Sequence, residues 1–514
     1  MINTEQCVFA RRREPLNMNC KKKSLPDRNE LPRSANTTLT RQSRDRHHSQ
    51  YKKTTLLNLE LLEPRRLLSA VAVGVDADGD SYEIRLVGPG NIVDPGLTNL
   101  TVAGTTMASK LNITVDAPEG NGQVDVAKVD AGEGALGRLL IQGDLGGLEV
   151  ARLGILQAQS LGNVEGSSNF FDINGPVKHI NISGSILDSN LDIDGPVSFI
   201  QVGQRRDETS NISNSTIDID GNLNKILLRQ DLTAGSTISV DGNLKIIYID
   251  GAIVNSTVET TGDVTKFMVG GVISNSTIDL DNNLRIFLAK NSVNNTNITI
   301  GQSIRKAVIF DDLRDSSLLC SAVNHLLIRD DLDNTRIGVT DDLNRLQAND
   351  TRGLTLRVSG TLGNFTVRQD MEDAIISALN GIGTIRIGQE LNGSLILGGI
   401  DIGANFTLES TGGGDDFEWG NVTIENIIIG RDMIDSSIAA GVSPRGPYFG
   451  DGNDEPTAND IGTSRINRIL VRGNIASTNL PGESYAISAA DGIDLIRSGR
   501  RVFTGTADVL LQEF

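Results

Sequence analysis

Aromatic residues are scarce in this chain: they make up 4% of 514 residues, and Trp419 is the single tryptophan. That excludes a large globular core anchored on aromatic rings, which supply the largest buried areas per residue. Cysteine is scarce too. Cys7, Cys20 and Cys320 form no disulfide framework and no C-x-x-C metal spacing, and the four histidines (His47, His48, His179, His325) do not cluster with them. No run approaches about 18 consecutive apolar residues, so no transmembrane segment is expected. No apolar stretch follows Arg11–Arg13, so no ordinary signal peptide is expected. A P-loop, a dinucleotide-binding fingerprint, H-E-x-x-H and G-x-S-x-G are also missing.

What is present is glycine, 55 residues of it, and a beat of 20 residues. From Gly242 the chain reads GNLKIIYIDGAIVNSTVETT, from Gly262 GDVTKFMVGGVISNSTIDLD, and from Asn282 NNLRIFLAKNSVNNTNITIG. The beat continues from Gln302, one residue short, and through Ser321 and Asp341. A fixed short period is the signature of a solenoid, in which each unit packs only on its neighbours. Counting from each start, position 3 is Leu244, Val264 and Leu284, and position 6 is Ile247, Phe267 and Phe287. Position 12 is Ile253, Ile273 and Val293, until Arg352 breaks the register, and position 17 is Val258, Ile278 and Ile298. Cys320 falls on the mostly apolar position 19. Positions 6 and 8, and again 17 and 19, alternate as strands do, and no coil carries a helical spacing.

The expected fold is therefore all-β: a parallel β-helix solenoid with coils of about 20 residues, preceded by a disordered basic N-terminal segment. Strands stacked at about 4.8 Å would make roughly 20 coils between residues 97 and 497, near 95 Å in all. A leucine-rich repeat is the rival, but N-S-T-[IV]-x-[ILT] in the second half of each coil reads as strand where that family has helix. One phrase recurs along the chain: an apolar strand end, a polar turn with Asp, Glu or Asn, then one inward Leu, Met or Ile. Its copies include LRQDL at 228–232, VRQDM at 367–371, IGQEL at 387–391 and IGRDM at 429–433.

Charge divides the chain. The net charge is −18, yet residues 1–70 carry 15 Lys and Arg against 7 Asp and Glu, leaving 32 against 58 for the rest. A basic tail on an acidic body argues against nucleic acid as the main partner, since phosphate neutralisation needs clustered cations. Residues 1–55 are polar and basic and are expected to be disordered. Residues 71–130 read as a β-rich N-terminal cap with the first coils, 131–500 as the repeat domain, and 501–514 as the C-terminal end. Gly-, Pro- and Asp-rich segments at 411–420 and 441–463 interrupt the coils as surface loops.

Residues 56–70 carry a resemblance. Leu62-Glu63-Pro64-Arg65-Arg66-Leu67-Leu68 is similar to the LEPR-XLL domain, a short N-terminal segment on large surface or exported proteins, especially of planctomycete bacteria. The resemblance implies an address or processing tag and an extracellular or cell-surface location in a bacterium. It implies no chemistry.

Four features could carry chemistry. Asn-Ser-Thr at 214–216, 255–257 and 275–277 matches glycosylation acceptors, but Asn also tolerates a left-handed turn and stacks as an amide ladder, the reading we favour here. Three residues and one residue before successive coil starts stand Asp192, Asp218, Ser239, Glu259, Asp279 and Asp194, Asp220, Asp241, Thr261, Asp281. These form an acidic column that either stays solvated or takes bridging divalent cations. Asp76, Asp78 and Asp80 spell D-x-D-G-D, like the start of a calcium loop, and are the candidate metal ligands; calcium is the one cofactor the sequence suggests. An EF-hand is excluded because Ser81 and Val87 stand where it needs Gly and Glu. Lastly, Asp311, Asp312 and Arg314 could meet Arg329, Asp330 and Asp331 in neighbouring coils, as glycan acid/base chemistry would need. Because these Asp residues sit in a turn phrase that recurs in coils all along the chain, turn capping is the better reading and no catalytic residue is assigned. The sequence thus points to an exported or surface structural and binding protein whose partners are extracellular polysaccharide or other surface proteins. A polysaccharide lyase or hydrolase and a calcium-dependent adhesin are the alternatives.

Overall fold

The computed structural model describes residues 69–117, 120–162, 164–204, 210–408, 416–418, 420–443, 454–457, 463–477, 485–504 and 506–510. The basic tail, residues 1–68 with the LEPR-XLL-like run, lies outside them.

The coil from Gly242 shows how twenty residues make one turn. Leu244–Ile249, Ile253–Val254 and Thr257–Thr260 are its three strands. Leu244, Ile247 and Ile249 point inward on the first strand, Ile253 on the second, and Val258 and Thr260 on the third, all buried. Each strand pairs in parallel with its copies in the coils before and after. Ile247 lies beside Phe267 and Phe267 beside Phe287. Ile253 is followed by Ile273 and Val293, and Val258 by Ile278 and Ile298. A side chain in the middle of such a row is covered above and below by its own repeats, and burying it contributes about 1.5–3 kcal/mol. The rings of Phe267 and Phe287 lie 5.5 Å apart, and the next coil places the small Ala307 on that row. The second strands form a 13-stranded parallel sheet. The first and third strands supply the other two faces, joined into one continuous sheet by long strands such as Asn297–Ile309 that pass round the corner. The described residues contain no helix, which removes the leucine-rich repeat.

Two expectations need correction. The second-strand row does not break at Arg352: the preceding corner is one residue short, so Thr351 takes the inward place after Leu332, and Met371 follows it. The coils are also fewer than roughly 20. Inserted segments separate Leu391 from Met433 and Met433 from Ile475, so thirteen second strands reach from Ile186–Leu187 to Ile475–Ala476. At a strand spacing of about 4.8 Å they span about 60 Å. Three isolated pairings, through Val126, Leu145 and Leu161, extend that row towards the N-terminal side.

Both ends of the stack switch to antiparallel pairing. Ser69–Val75 and Ser81–Val87 form a hairpin round the Asp-rich turn, and Ser81–Val87 pairs antiparallel with Lys110–Ala117, which starts the parallel stack by pairing with Arg138–Ile141. At the other end Ile496–Ser498 pairs antiparallel with Arg501–Phe503, and Ala486–Ile493 with Thr506–Leu510. Closing strands of this kind limit the open edge on which another chain could pair.

Candidate functional site

The three Asp residues of the N-terminal hairpin do converge: each offers a carboxylate oxygen within 4.8 Å of the others. The turn itself brings them there. Asp76 Oδ1 accepts the backbone N–H groups of Gly79 (3.1 Å) and Asp80 (2.8 Å), which folds the loop back on its first residue. Asp80 is fully buried. It accepts the N–H groups of Gly120 and Gly122, both at 2.6 Å, and of Gln123 at 3.2 Å. Asp78 Oδ2 accepts the N–H of Asn121 at 3.1 Å. Burial, then the neighbouring Asp78 carboxyl, raise the Asp76 pKa, while hydrogen bonds from Asp76 and the Asn121 amide lower that of Asp78. Asp80 thus staples the hairpin to segment 120–123, and Asp76 with Asp78 is left to face solvent or a cation. A second acidic loop in the sequence, Asp451-Gly452-Asn453-Asp454-Glu455, lies mostly outside the described residues.

The carboxylates of the recurring turn phrase also come together. Asp311, Asp312 and Asp330 place oxygens within 4.8 Å of one another. Arg314 pairs with Asp312 (2.9 Å) and Asp333 (3.1 Å), and Arg329 stacks over Phe310 at 4.0 Å. Burial, then Asp331, Asp312 and Asp311, raise the Asp330 pKa. Yet the residue before the inward one has another task in coil after coil. Its Oδ1 accepts a backbone N–H from the same corner of the next coil: Asp231 from Ala252 (2.7 Å), Asp312 from Asp331 (3.1 Å), Asp350 from Asp370 (2.8 Å), Asp370 from Glu390 (2.9 Å) and Asp432 from Asn474 (2.6 Å). These acids cap one layer onto the next.

The Asn-Ser-Thr triplets build the following corner. Asn214, Asn255, Asn275 and Asn295 have φ between 44° and 50°, in the left-handed region, and Asp188, Asp315, Asn334 and Asp373 share it. Asn295 donates its side-chain amide to Asn275 at 2.7 Å, the start of an amide ladder. The serine is the part the sequence reading missed. Ser256 and Ser276 are buried, each hydroxyl donates to the carbonyl two residues back, and Ser276 Oγ accepts the Ser256 N–H at 3.3 Å. The signal was there: Ser or Thr follows the left-handed residue in most coils.

The acidic column lies in register on the outer side of the third strands. Asp172, Asp192, Asp218, Ser239, Glu259 and Asp279 are successive partners, and Glu149 extends the row. Burial first, then the neighbouring carboxylates, raise the pKa of Asp192 and of Asp172. The second set, with Asp194 and Asp220, sits in the turn just past the strand rather than on it. Further along the stack this face is covered. The segment after Gly398 folds over it and lays Phe406 against Gly338, where a Cβ would meet the ring at 2.8 Å. Asp401, buried there, is gripped by Arg357 and accepts from Ser359 (2.5 Å) and Gly403 N–H (3.1 Å). Burial alone would raise the Asp401 pKa, but Arg357 and Ser359 outweigh it and hold it low. Leu397, Ile400, Ile402, Ala439, Val442 and Ala486 form a small second core outside the coil.

The outer face of the first strands has the opposite character. Position 4 holds Lys178, Lys245, Arg285 and Arg305, and position 5 holds Lys225, Lys266, Lys306 and Arg345. No outward residue of these strands between Val177 and Ala348 is acidic, and none of the eight cations has an ion-pair partner among the described residues. His325 registers the field: burial, then Arg345 and Lys306, lower its pKa. An open groove of about 1020 Å³ runs along the edge of this face from Gly137 to Thr265, crossing successive coils. Asn222, Asn224, Asn243, Ser198, Lys178 and Lys245 line it, and Asp263 is its one carboxylate. An amide ladder supports the rim: Asn222 Oδ1 accepts Asn243 N–H (2.8 Å), and Asn243 Oδ1 accepts Asp263 N–H (2.9 Å). A second depression of about 480 Å³ on the same face is lined by Arg138, Gln157, His179, Asn181, Phe199 and Gln201.

Compared with protein-family models, with curated proteins and with solved structures, the chain has no match.

Proposed function

We propose that this protein is an exported or cell-surface structural and binding protein, a β-helix scaffold that displays surfaces rather than a catalytic centre. The observation that carries the reading is the fate of the turn carboxylates, which hold the backbone amides of the next coil in layer after layer. A residue position that makes that bond in five of the layers is a structural part, and Asp312, which sits in the carboxylate cluster, also has its second oxygen on Arg314. The filled interior agrees, since the depressions of about 1020, 680 and 480 Å³ all lie open on the outside. Export rests on the LEPR-XLL-like run at Leu62–Leu68. The test is the purified full chain against polyuronates and sulfated polysaccharides, with release of reducing ends and unsaturated uronates as readouts. No turnover is expected; robust turnover lost in Asp311→Asn or Asp330→Asn would replace the reading with a polysaccharide lyase or hydrolase.

A calcium-dependent adhesin is the second reading, favoured by the convergence of Asp76, Asp78 and Asp80. Calcium is a hard cation that takes carboxylate oxygens, and Asp76 and Asp78 would be its side-chain ligands. Thermal melting of the full chain with and without millimolar calcium decides it: an unchanged melting temperature ends that reading.

A further inference from the structure

We infer that the outer face of the first strands, from Arg138 to Lys266, binds a linear acidic polysaccharide lying along the stack. The inference rests on the non-catalytic reading above and names the partner and the surface. The protein is acidic overall, yet the outer face of the first strands is not: over the nine coils from Val177 to Ala348 these strands present eight Lys and Arg and no outward carboxylate. Lys178, Lys225, Lys245 and Lys266 lie within the stretch from Arg138 to Lys266, and Asp263 is in the lining of the groove. Unpaired cations kept clear of acids on a protein rich in acids repel one another unless something anionic lies over them. Seven of the eight are exposed and so reachable. Lys225 is half-buried and stands over the Phe199 ring at 5.4 Å.

The shape selects a polymer. A groove that crosses several coils offers one polar side chain after another, Lys178, Ser198, Asn224, Lys245 and Thr265, on strands about 4.8 Å apart, which suits an extended polar chain carrying charges at intervals. The lining selects sugar. Side-chain amides of Gln157, Asn181, Gln201, Asn222 and Asn224 both donate and accept, as hydroxyl-rich ligands require. Lys178 and Lys245 supply charge-assisted bonds for carboxylate or sulfate. Nucleic acid fits less well. Single strands need a series of aromatic platforms, and this part of the face has one aromatic pair, His179 and Phe199, edge-on at 6.0 Å, and a separate Tyr248 two coils further on. Duplex binding needs dense cations, and here a coil provides about one.

The experiment is titration of the full chain with polygalacturonate and, separately, with dextran sulfate, using neutral dextran and duplex DNA as comparisons, at low and high salt. Lys178→Ala, Lys245→Ala and Lys266→Ala are combined in one variant; all three side chains are exposed, so a far-UV spectrum and melting temperature matching the wild type are expected. Exposed cations each contribute about two- to fivefold in affinity, so the triple variant should bind roughly ten- to a hundredfold more weakly. Binding should also fade with salt, and neutral dextran should not bind. Asp192→Asn, on another face, should bind as wild type does. Polyanion binding unchanged in the triple variant overturns the inference, as does duplex DNA displacing both polysaccharides. Salt-sensitive self-association abolished by the same three substitutions would also overturn it, by assigning the face to the acidic column of a second copy. Depolymerisation of polygalacturonate would end the non-catalytic reading and leave the surface standing, whereas neither binding nor turnover would end the inference and leave that reading intact.

Discussion

Asn275 is the most informative position to change, because its backbone and its side chain do separable jobs. Its φ of 50° lies in the left-handed region, which costs an ordinary L-residue about 1–2 kcal/mol and asparagine less. Its Oδ1 accepts the Asn295 amide at 2.7 Å in an exposed place, a bond contributing about 0.5 kcal/mol net. Asn275→Ala therefore loses both and should cost about 1.5 kcal/mol, whereas Asn275→Gly loses the bond but meets no backbone penalty and should cost about 0.5 kcal/mol or less. Asn275→Val, β-branched, should cost about 2 kcal/mol or more. Urea unfolding followed by circular dichroism reads the order: with a slope of about 3 kcal/mol/M, the alanine variant should lose about half a molar in its midpoint and the glycine variant about a third of that. The reasoning is refuted if alanine is as stable as the wild type, or if glycine costs as much as alanine, for then the left-handed turn is not what asparagine supplies.

Ser276→Ala should cost about 1 kcal/mol, near the low end for a buried N–H that loses its acceptor, because Ala374 already occupies the same place in another coil; melting temperature measures it. Asp192→Asn should stabilise at neutral pH, since stacked carboxylates about 4.8 Å apart repel by roughly 1 kcal/mol per pair in water. The pKa of Asp192 is raised in the fold, so the native state binds the proton more tightly than the unfolded chain does. Wild-type stability should therefore rise as pH falls through that raised pKa towards the ordinary carboxylate value, and the variant should show less of this rise. Asp401→Ala leaves Arg357 without its partner and should loosen segment 400–408 by about 3 kcal/mol, read as faster proteolysis there with little change in the coil. The Asp401 pKa is lowered, so its contribution is present above the ordinary carboxylate range and is lost only as pH falls through the lowered value.

The core was legible because one period governs it. Ile253, Ile273 and Val293 recur at equal spacing, and equal spacing in a solenoid means direct stacking. The turn phrase was legible for the same reason, since an acid before each inward Leu or Met predicts a cap without any knowledge of its partner. The buried serines were not: a hydroxyl beside Asn reads as surface, and only the coil's closure shows that it turns inward to a carbonyl. Nor was the number of coils, because inserted residues after Gly398 and Gly441 count towards length without adding layers. The groove escaped notice for a different reason. Lys178, Lys245 and Lys266 are scattered in a chain of net charge −18, and only stacking places them on one face clear of acids. Asp401 and Arg357 stand 44 residues apart, a pairing no local pattern announces.

Cysteine crosslinking between coils tests the stacking most directly. Glu259 and Asp279 are partners on adjacent third strands, and Thr299 partners Asp279 one coil further on. Adjacent strands put the first pair at about 4.8 Å, within disulfide reach, and Glu259 and Thr299 at about 9.6 Å, beyond it. With Cys7 and Cys20 replaced by serine, and with the buried Cys320 thiol pushed up to about 12 and so unreactive, mild oxidation should link Glu259→Cys to Asp279→Cys and leave Glu259→Cys with Thr299→Cys open. Equal linkage of both pairs, or of the distant pair alone, would contradict a spiral in which every twentieth residue meets its own repeat.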